Sequence, residues 1–234
     1  MTALAERIEV QRERVALACQ RAGRDPGDVT LVAVSKTHPV ELLLEARELG
    51  VRDFGESYAP EFRDKAAEVH DVTWHFIGHL QSNKVTMVAP DAHVVHSIDR
   101  AKIVRALAKR VPEGRTLDLL VQVNVSGEAS KSGCEPADVS ALVDVIRDTP
   151  QVRCAGFMTM APFGSTPEEA RPSFAGLRRI RDAEQDRLAA VDAAAAASLT
   201  HLSMGMSGDA EVAIEEGATL VRIGTAIFGS RTYA

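Results

Sequence analysis

The chain has 234 residues, of which 45% are hydrophobic and 26% are charged. These values are those of a folded globular protein, and they exclude disorder or collagen-like structure for most of the chain. The formal net charge of −6 disfavours a nucleic-acid partner, because binding to a phosphate backbone depends on clustered positive charge. No apolar run reaches the ~20 residues that a membrane span needs, and the N-terminus lacks the apolar core of a signal peptide. We therefore expect a cytoplasmic protein without a membrane partner.

The three cysteines, Cys19, Cys134 and Cys154, are widely spaced. An odd number without CxxC spacing favours free, inert thiols in a reducing compartment over a disulfide frame or a zinc site.

The first predicted element is an amphipathic helix in which Leu4, Ile8, Val15 and Leu17 lie among charged neighbours. The helix is expected to end near Gly23, ahead of an Asp-Pro-Gly turn.

Eight short apolar runs follow, and helical patterns separate them. The predicted strands are Thr30–Ser35, Val51–Phe54, Thr73–Ile77, His93–His96, Leu117–Val125, Val152–Met158, Leu199–Leu202 and Thr219–Ile223. The predicted helices are Val40–Leu49, Ala59–Val69, Arg100–Arg110, Pro136–Arg147, Pro167–Asp192 and Asp209–Glu216. Apolar strands that alternate with helices are typical of βαβ units in a parallel sheet covered on both faces.

Eight such units in a chain of this length predict an α/β fold, a (β/α)8 TIM barrel with an extra N-terminal helix, as a single domain over residues 1–234. An open doubly wound sheet is the alternative. The first unit lacks a GxGxxG motif and the chain lacks a GxxxxGK[ST] motif, so a nucleotide-binding sheet would lack its phosphate loop.

Lys36 directly follows the first predicted strand, where barrel enzymes place their sites. Only six of the 27 basic residues are lysines. One interpretation is a lysine that extends along the strand end toward solvent. The other is a desolvated amine that attacks a carbonyl and forms a Schiff base.

Two glycine-containing segments follow the last two predicted strands. They are Ser203–Asp209, with the sequence SMGMSGD, and Arg222–Thr225, which leads into a short helix. Barrels often bind phosphate with the loops after strands seven and eight. In a closed barrel strand eight adjoins strand one, so Lys36, Arg222 and these loops would meet at one end. A ligand with an aldehyde and a phosphate fits this arrangement, and pyridoxal 5′-phosphate (PLP) is such a molecule.

Six ordered motifs make the sequence recognisable. They are VAVSK at 32–36, FGES at 54–57, WHFIGHLQSNK at 74–84, GFMTM at 156–160, LSMGMSGD at 202–209 and VRIGTAIFG at 221–229. With them the chain resembles the PLP homeostasis proteins, relatives of the barrel domain of alanine racemase. The resemblance implies a monomer.

The resemblance also assigns roles to individual residues. It implies that Lys36 forms the Schiff base with PLP and that Arg222 faces the pyridine nitrogen. It further implies that Ser207, Gly224 and Thr225 bind the phosphate. Two more residues, Ile77 and Met206, would line the pocket.

Two positions depart from the family pattern. The family usually has Asn where this chain has Ser57, and often has Gln where it has Pro60. Ser57 is expected beside the cofactor, where its hydroxyl would replace the amide and could bond through water.

The favoured function is a carrier that holds PLP reversibly and supports its supply to PLP-requiring apo-enzymes, without robust turnover. One alternative is an amino-acid racemase, which needs a second acid/base group besides Lys36. The other is a Schiff-base aldolase that uses Lys36 without a cofactor. We expect no metal site, since His75 and His79 flank a strand end and have no evident third ligand.

Overall fold

A computed structural model describes residues 2–128 and 132–230. Eight parallel strands pair in chain order, and β8 pairs with β1 to close the barrel. The strands are Thr30–Val34 (β1), Asp53–Glu56 (β2), Thr73–Phe76 (β3), Val94–Ile98 (β4), Leu117–Gln122 (β5), Val152–Met158 (β6), His201–Ser203 (β7) and Leu220–Ile223 (β8). The predicted TIM barrel is therefore confirmed.

The helices lie outside this barrel and between its strands. They are Ala3–Arg21 (α1), Val40–Glu48 (α2), Ala59–Ala66 (α3), Val85–Val88 (α4), Ala101–Ala108 (α5), Val139–Arg147 (α6), Pro167–Ala189 (α7), Ala193–Ser198 (α8), Ala210–Glu215 (α9) and Thr225–Phe228 (α10). None of the helices in these described ranges is long and apolar enough to span a bilayer.

The predicted N-terminal helix is present as α1. The Thr2 hydroxyl caps it by accepting a hydrogen bond from the Ala5 N–H, and the chain leaves the helix through Gly23 at a φ of +65°. Leu4 and Ile8 are buried, but Leu17 is 55% exposed, so the expected apolar face is narrower than the sequence pattern indicated.

Apolar packing forms two separate clusters. The larger cluster fills the layer between the barrel and its helices. The smaller cluster lies within the barrel and consists of Val32, Val94, Leu120, Ala155, Met158 and Leu220. Because side chains alternate along a strand, Arg222 faces the same interior as Leu220 two residues before it.

Three strand predictions ended too early: β4 extends past its predicted end at His96 to Ile98, and β2 and β7 extend to a buried polar residue. The apolar run at 51–54 stops at Phe54, yet β2 continues through Glu56, which is fully buried. Similarly, β7 extends to the buried Ser203, whereas Leu199 caps α8. In both places the strand carries a buried polar residue with a hydrogen-bond partner, which an apolar pattern does not register.

The three cysteines are buried free thiols, as the sequence predicted. Burial raises the pKa of Cys19, and it raises the pKa of Cys134 to about 11 and that of Cys154 to about 12.

We predict that none of the three thiols reacts rapidly with an aromatic disulfide reagent in the folded protein at neutral pH. Few thiolates form under these conditions, and the sulfur atoms are inaccessible. Three equivalents should react after unfolding in guanidinium. One fast equivalent in the native protein would contradict the structure.

Candidate functional site

Lys36 lies at the carboxyl end of the barrel, two residues after the last residue of β1. The residue is half-buried, and the preceding Ser35 is fully buried. Lys36 therefore starts from a fixed strand end and lies at the edge of the barrel interior, where the sequence analysis placed it.

A buried ion pair holds the backbone just before Lys36. The Lys65 ammonium on α3 donates to Glu56 Oε1 at 2.7 Å and to the Ser35 carbonyl at 2.7 Å. The Ser35 hydroxyl also donates to Glu56 Oε1 at 2.7 Å. Burial raises the pKa of Glu56, while Lys65 and Ser35 stabilise its charged form. The ion pair thus connects three elements around the Lys36 segment.

The same cluster holds the backbone just after Lys36. Thr37 has a φ of +65°, a left-handed conformation that non-glycine residues rarely adopt. Its N–H donates to Glu61 Oε1 at 2.6 Å, and that oxygen also accepts from Lys65 at 2.7 Å. The strained turn is therefore fixed by a carboxylate, and both neighbours of Lys36 are tied to one lysine.

Arg222 lies on β8 and is 4% exposed. Its guanidinium donates to Ser203 Oγ at 2.6 Å and to the Thr159 carbonyl at 3.2 Å. Burial lowers the pKa of Arg222 to about 10, which leaves it protonated at neutral pH. The barrel interior therefore contains a positive charge that is held by neutral oxygen atoms.

The loops after β7 and β8 meet at the closing seam of the barrel. The Arg222 N–H donates to the Gly205 carbonyl at 3.0 Å, which joins the loop after β7 to β8. A Cβ added at Gly224 would lie 3.3 Å from the Val34 carbonyl oxygen, so glycine permits β8 to approach the end of β1 closely. Gly205 itself has a φ of +92° and turns the chain toward α9.

The other two residues predicted to bind the phosphate, Ser207 and Thr225, lie at the same end of the barrel. Ser207 is half-buried in the loop between β7 and α9, and Thr225 is exposed at the first turn of α10. The structure thus brings Lys36, Arg222, Ser207, Gly224 and Thr225 to one end of the barrel.

The N-terminal helix α1 supports both of these loops through arginine side chains. Arg7 Nε donates to the Ile227 carbonyl at 2.5 Å, at the end of α10. Arg14 Nε pairs with Glu211 on α9 at 3.0 Å, and Arg14 Nη2 donates to the Ser207 carbonyl at 3.4 Å. The extra helix therefore fixes the positions of α9 and α10 relative to the barrel.

Ile77 and Ser57 directly follow the neighbouring strands β3 and β2 at the same end. Ile77 Cδ1 would be 3.5 Å from a Cβ at Gly55, so its side chain lies over the interior face of β2. Ser57 is half-buried just after β2. Pro60 lies in the first turn of α3 and is exposed, a position where proline is favoured because no N–H is needed.

A cavity of about 680 Å³ lies beside this group of residues. The loop after β6, including Met160 and the fully exposed Phe163, forms much of its wall. Met206 borders the cavity, but Lys36 and Arg222 do not. Of the predicted pocket-lining residues, Met206 thus belongs to the outer entrance, and its side chain is 44% exposed.

Sequence reasoning missed the polar residues that support the site. Glu56 and Lys65 were not predicted, because an isolated Glu or Lys has no recognisable pattern, and Ser203 was noted only as part of a glycine-containing segment. The available signal for Glu56 was its position, since it is a polar residue two positions past a predicted strand end.

His75 and His79 do not converge on a common ligand. His75 points into the barrel, whereas His79 Nδ1 lies 3.6 Å from Asp99 Oδ2. Within residues 2–128 and 132–230, no three His, Cys, Asp or Glu side chains are grouped to hold a metal ion.

Comparison with known proteins decides the family. The family model for the alanine racemase N-terminal domain matches residues 11–232. The "Pyridoxal phosphate homeostasis protein" of Pseudomonas aeruginosa is 46% identical over 100% of this chain and 98% of its own length. The chain belongs to the family of pyridoxal phosphate homeostasis proteins.

Two further relatives agree with the assignment. The pyridoxal phosphate homeostasis protein of Aquifex aeolicus is 42% identical over 97% of this chain and 98% of its own length. The structure of PipY from Synechococcus elongatus, solved with PLP bound, superposes with a TM-score of 0.78 at 35% identity. It covers 97% of this chain and 100% of the PipY chain.

We predict that Lys65→Met lowers the free energy of unfolding by about 3–5 kcal/mol, because it leaves the buried Glu56 carboxylate without its cation. Chemical denaturation with and without the substitution measures the change. Lys109→Met, at an exposed lysine on the surface, is the matched control.

A double variant tests the cause of that loss. Glu56→Gln combined with Lys65→Met removes both charges and should recover part of the stability. If Lys65→Met is as stable as the Lys109→Met control, the ion pair does not hold the Lys36 segment.

Proposed function

We propose that this chain binds PLP reversibly at the β1–β8 seam, with Lys36 as the amine that condenses with the PLP aldehyde, and helps to supply PLP to other enzymes. The observation that supports the proposal most directly is the arrangement of residues at the β1–β8 seam. An amine held at the end of β1, a buried guanidinium on β8 and two glycine-containing loops meet there. The names of the full-length relatives and the PLP-bound PipY structure support the same ligand.

The residues at the seam fit the chemistry of the cofactor. Ser207, Gly224 and Thr225 would hold the phosphate, since glycine permits close approach and the loops offer backbone N–H donors. Arg222 would face the pyridine nitrogen, and Ile77 and Met206 would border the ring and the entrance. Ser57 would face the cofactor with a hydroxyl group in place of the family's usual amide.

The position of Arg222 favours a carrier over a racemase. When bound, the cofactor supplies an aldehyde that exchanges between amines and a ring that withdraws electrons when protonated. Arg222 is positively charged at neutral pH and disfavours a second positive charge on an adjacent nitrogen. This arrangement retains amine exchange while it weakens the electron withdrawal that racemisation requires.

Racemisation also needs a second acid/base group, and the one tyrosine among the described residues is a poor candidate. Tyr58 is 55% exposed and lies just before α3. Tyr233, the other tyrosine, lies outside the described residues. We therefore infer that the chain does not catalyse racemisation efficiently, and that cofactor-free aldolase chemistry is the weakest alternative.

The wider biology follows from the same inference. We propose a single PLP-binding domain over residues 1–234 that acts as a monomer in the cytoplasm, where its buried thiols remain reduced. Its macromolecular partners would be apo-enzymes that require PLP.

We predict that the purified protein is yellow and that Lys36→Ala removes its visible absorbance band, because no other amine would occupy the position at the end of β1. Borohydride reduction followed by peptide mass spectrometry should place the pyridoxyl label on Lys36. Lys84→Ala, at a half-buried lysine after β3, is the control and should keep the colour. A wild-type protein that stays colourless after PLP is added would refute the proposal.

A chiral assay separates the carrier from the racemase. With L-alanine or L-serine, the PLP-loaded protein should show no sustained formation of the D-enantiomer, because the Arg222 charge weakens the electron withdrawal that proton removal from Cα requires. Sustained turnover would establish the racemase alternative instead. Borohydride trapping of a sugar phosphate on Lys36 in PLP-free protein would likewise support the aldolase.

A further inference from the structure

Polar contacts continue from Arg222 through the barrel interior. Ser203 Oγ, which accepts from Arg222, lies 2.8 Å from His96 Nδ1. His96 Nε2 lies 2.9 Å from His75 Nδ1, and His75 Nε2 lies 3.0 Å from Asp53 Oδ1. The five side chains therefore form one unbroken series of hydrogen-bond contacts, which we call the interior chain.

The interior chain crosses the barrel from one end to the other. Ser203 and His96 are fully buried and His75 is 2% exposed, so the middle of the chain is shielded from water. Asp53 and His75 border a second cavity, of about 330 Å³, at the amino ends of the strands. The interior chain thus connects this remote cavity to the guanidinium of the proposed PLP site.

The hydrogen-bond directions in the chain can be assigned from its two ends. Arginine has donors and no acceptor, so Ser203 Oγ accepts from Arg222, and a carboxylate at the other end accepts from His75 Nε2. With neutral imidazoles, the arrangement that satisfies both ends sends the Ser203 proton to His96 Nδ1, the other partner of this oxygen among the described residues. His96 must in turn carry its proton on Nε2 and donate to His75 Nδ1.

The last step ends on a carboxylate. Since His75 Nδ1 accepts, His75 carries its proton on Nε2 and donates to Asp53. Both imidazoles are then neutral, and all hydrogen bonds point from the guanidinium to the carboxylate. Burial, with the nearby His75 and Arg222, lowers the pKa of His96 well below its usual value, which agrees with a neutral ring.

We propose that His96, His75 and Asp53 are positioning residues for Arg222. The interior chain orients the Ser203 hydroxyl so that its oxygen accepts from the guanidinium, and the chain ends on the Asp53 carboxylate. The proposal rests on the proposed function, since it concerns the arginine that would face the PLP ring. It adds a remote element, because Asp53 lies at the opposite end of the barrel from that ring.

The proton positions can be measured without the cofactor. Long-range ¹H–¹⁵N correlation NMR on the PLP-free protein should show neutral Nε2–H tautomers for His75 and His96 at neutral pH. His96→Gln and His75→Gln assign the two signals. A neutral Nδ1–H tautomer of His96, or an imidazolium at His75, would reverse the chain and overturn the proposal even if PLP binds as expected.

Substitution at Asp53 tests the effect on PLP. Asp53→Ala should change the visible absorbance maximum of the PLP-loaded protein and weaken PLP binding severalfold, because the chain loses its acceptor. Asp118→Ala is the matched control, since Asp118 borders the same cavity but pairs with Arg153. Equal spectra and affinities for Asp53→Ala and Asp118→Ala would overturn the proposal.

Substitution at His96 tests the centre of the chain. His96→Leu should weaken PLP binding about tenfold, and His96→Gln should rescue much of the loss because an amide can both accept and donate. His201→Leu, on β7 but outside the chain, should bind PLP as the wild type does. If His96→Leu does not fold, Ser203→Ala should weaken binding in its place, and wild-type affinity in either folded variant would contradict the inference.

Failure of the proposed function has a different signature. In that case the wild-type protein would bind no PLP, while the tautomers of the PLP-free protein would still report whether the interior chain exists.

Discussion

The pairing of β1 with β8 is the constraint on which the site depends. In this register Val32 lies beside Arg222, and the end of β1 approaches the backbone at Gly224. Without closure, the lysine near the start of the chain and the loops near its end would belong to unrelated surfaces. The apolar layer outside the barrel stabilises the closed sheet, and the site uses the geometry that closure imposes.

The buried polar groups near the site form two sets, one between the barrel and α3 and the other inside the barrel. Glu56 and Lys65 form a compact ion pair beside Lys36, whereas Arg222 is held by neutral oxygen atoms and its chain ends on the distant Asp53. Buried charges contribute little net stability compared with apolar packing. Here they fix the backbone on both sides of Lys36 and the position of the Arg222 guanidinium.

Periodicity and motifs were enough to predict the barrel, and the order of the elements placed Lys36 and Arg222 at one end. The same patterns failed where a strand carries a buried polar residue. β2 was ended at Phe54 because the pattern counts apolar residues, although Glu56 continues the strand and pairs with Lys65. His75 was predicted at a strand end and evaluated only as a metal ligand. Its partners come from two other strands, and only the closed fold brings them together.

The position of the seam has a consequence for the order in which the protein can mature. Lys36 is synthesised well before the strand that completes its surroundings, Leu220–Ile223. Helix α1 likewise gains its partners on α9 and α10 only when those helices have been made, because Arg14 pairs with Glu211 and Arg7 donates to the Ile227 carbonyl. The seam therefore forms late in folding, after β8 has been synthesised, although its lysine lies near the first strand.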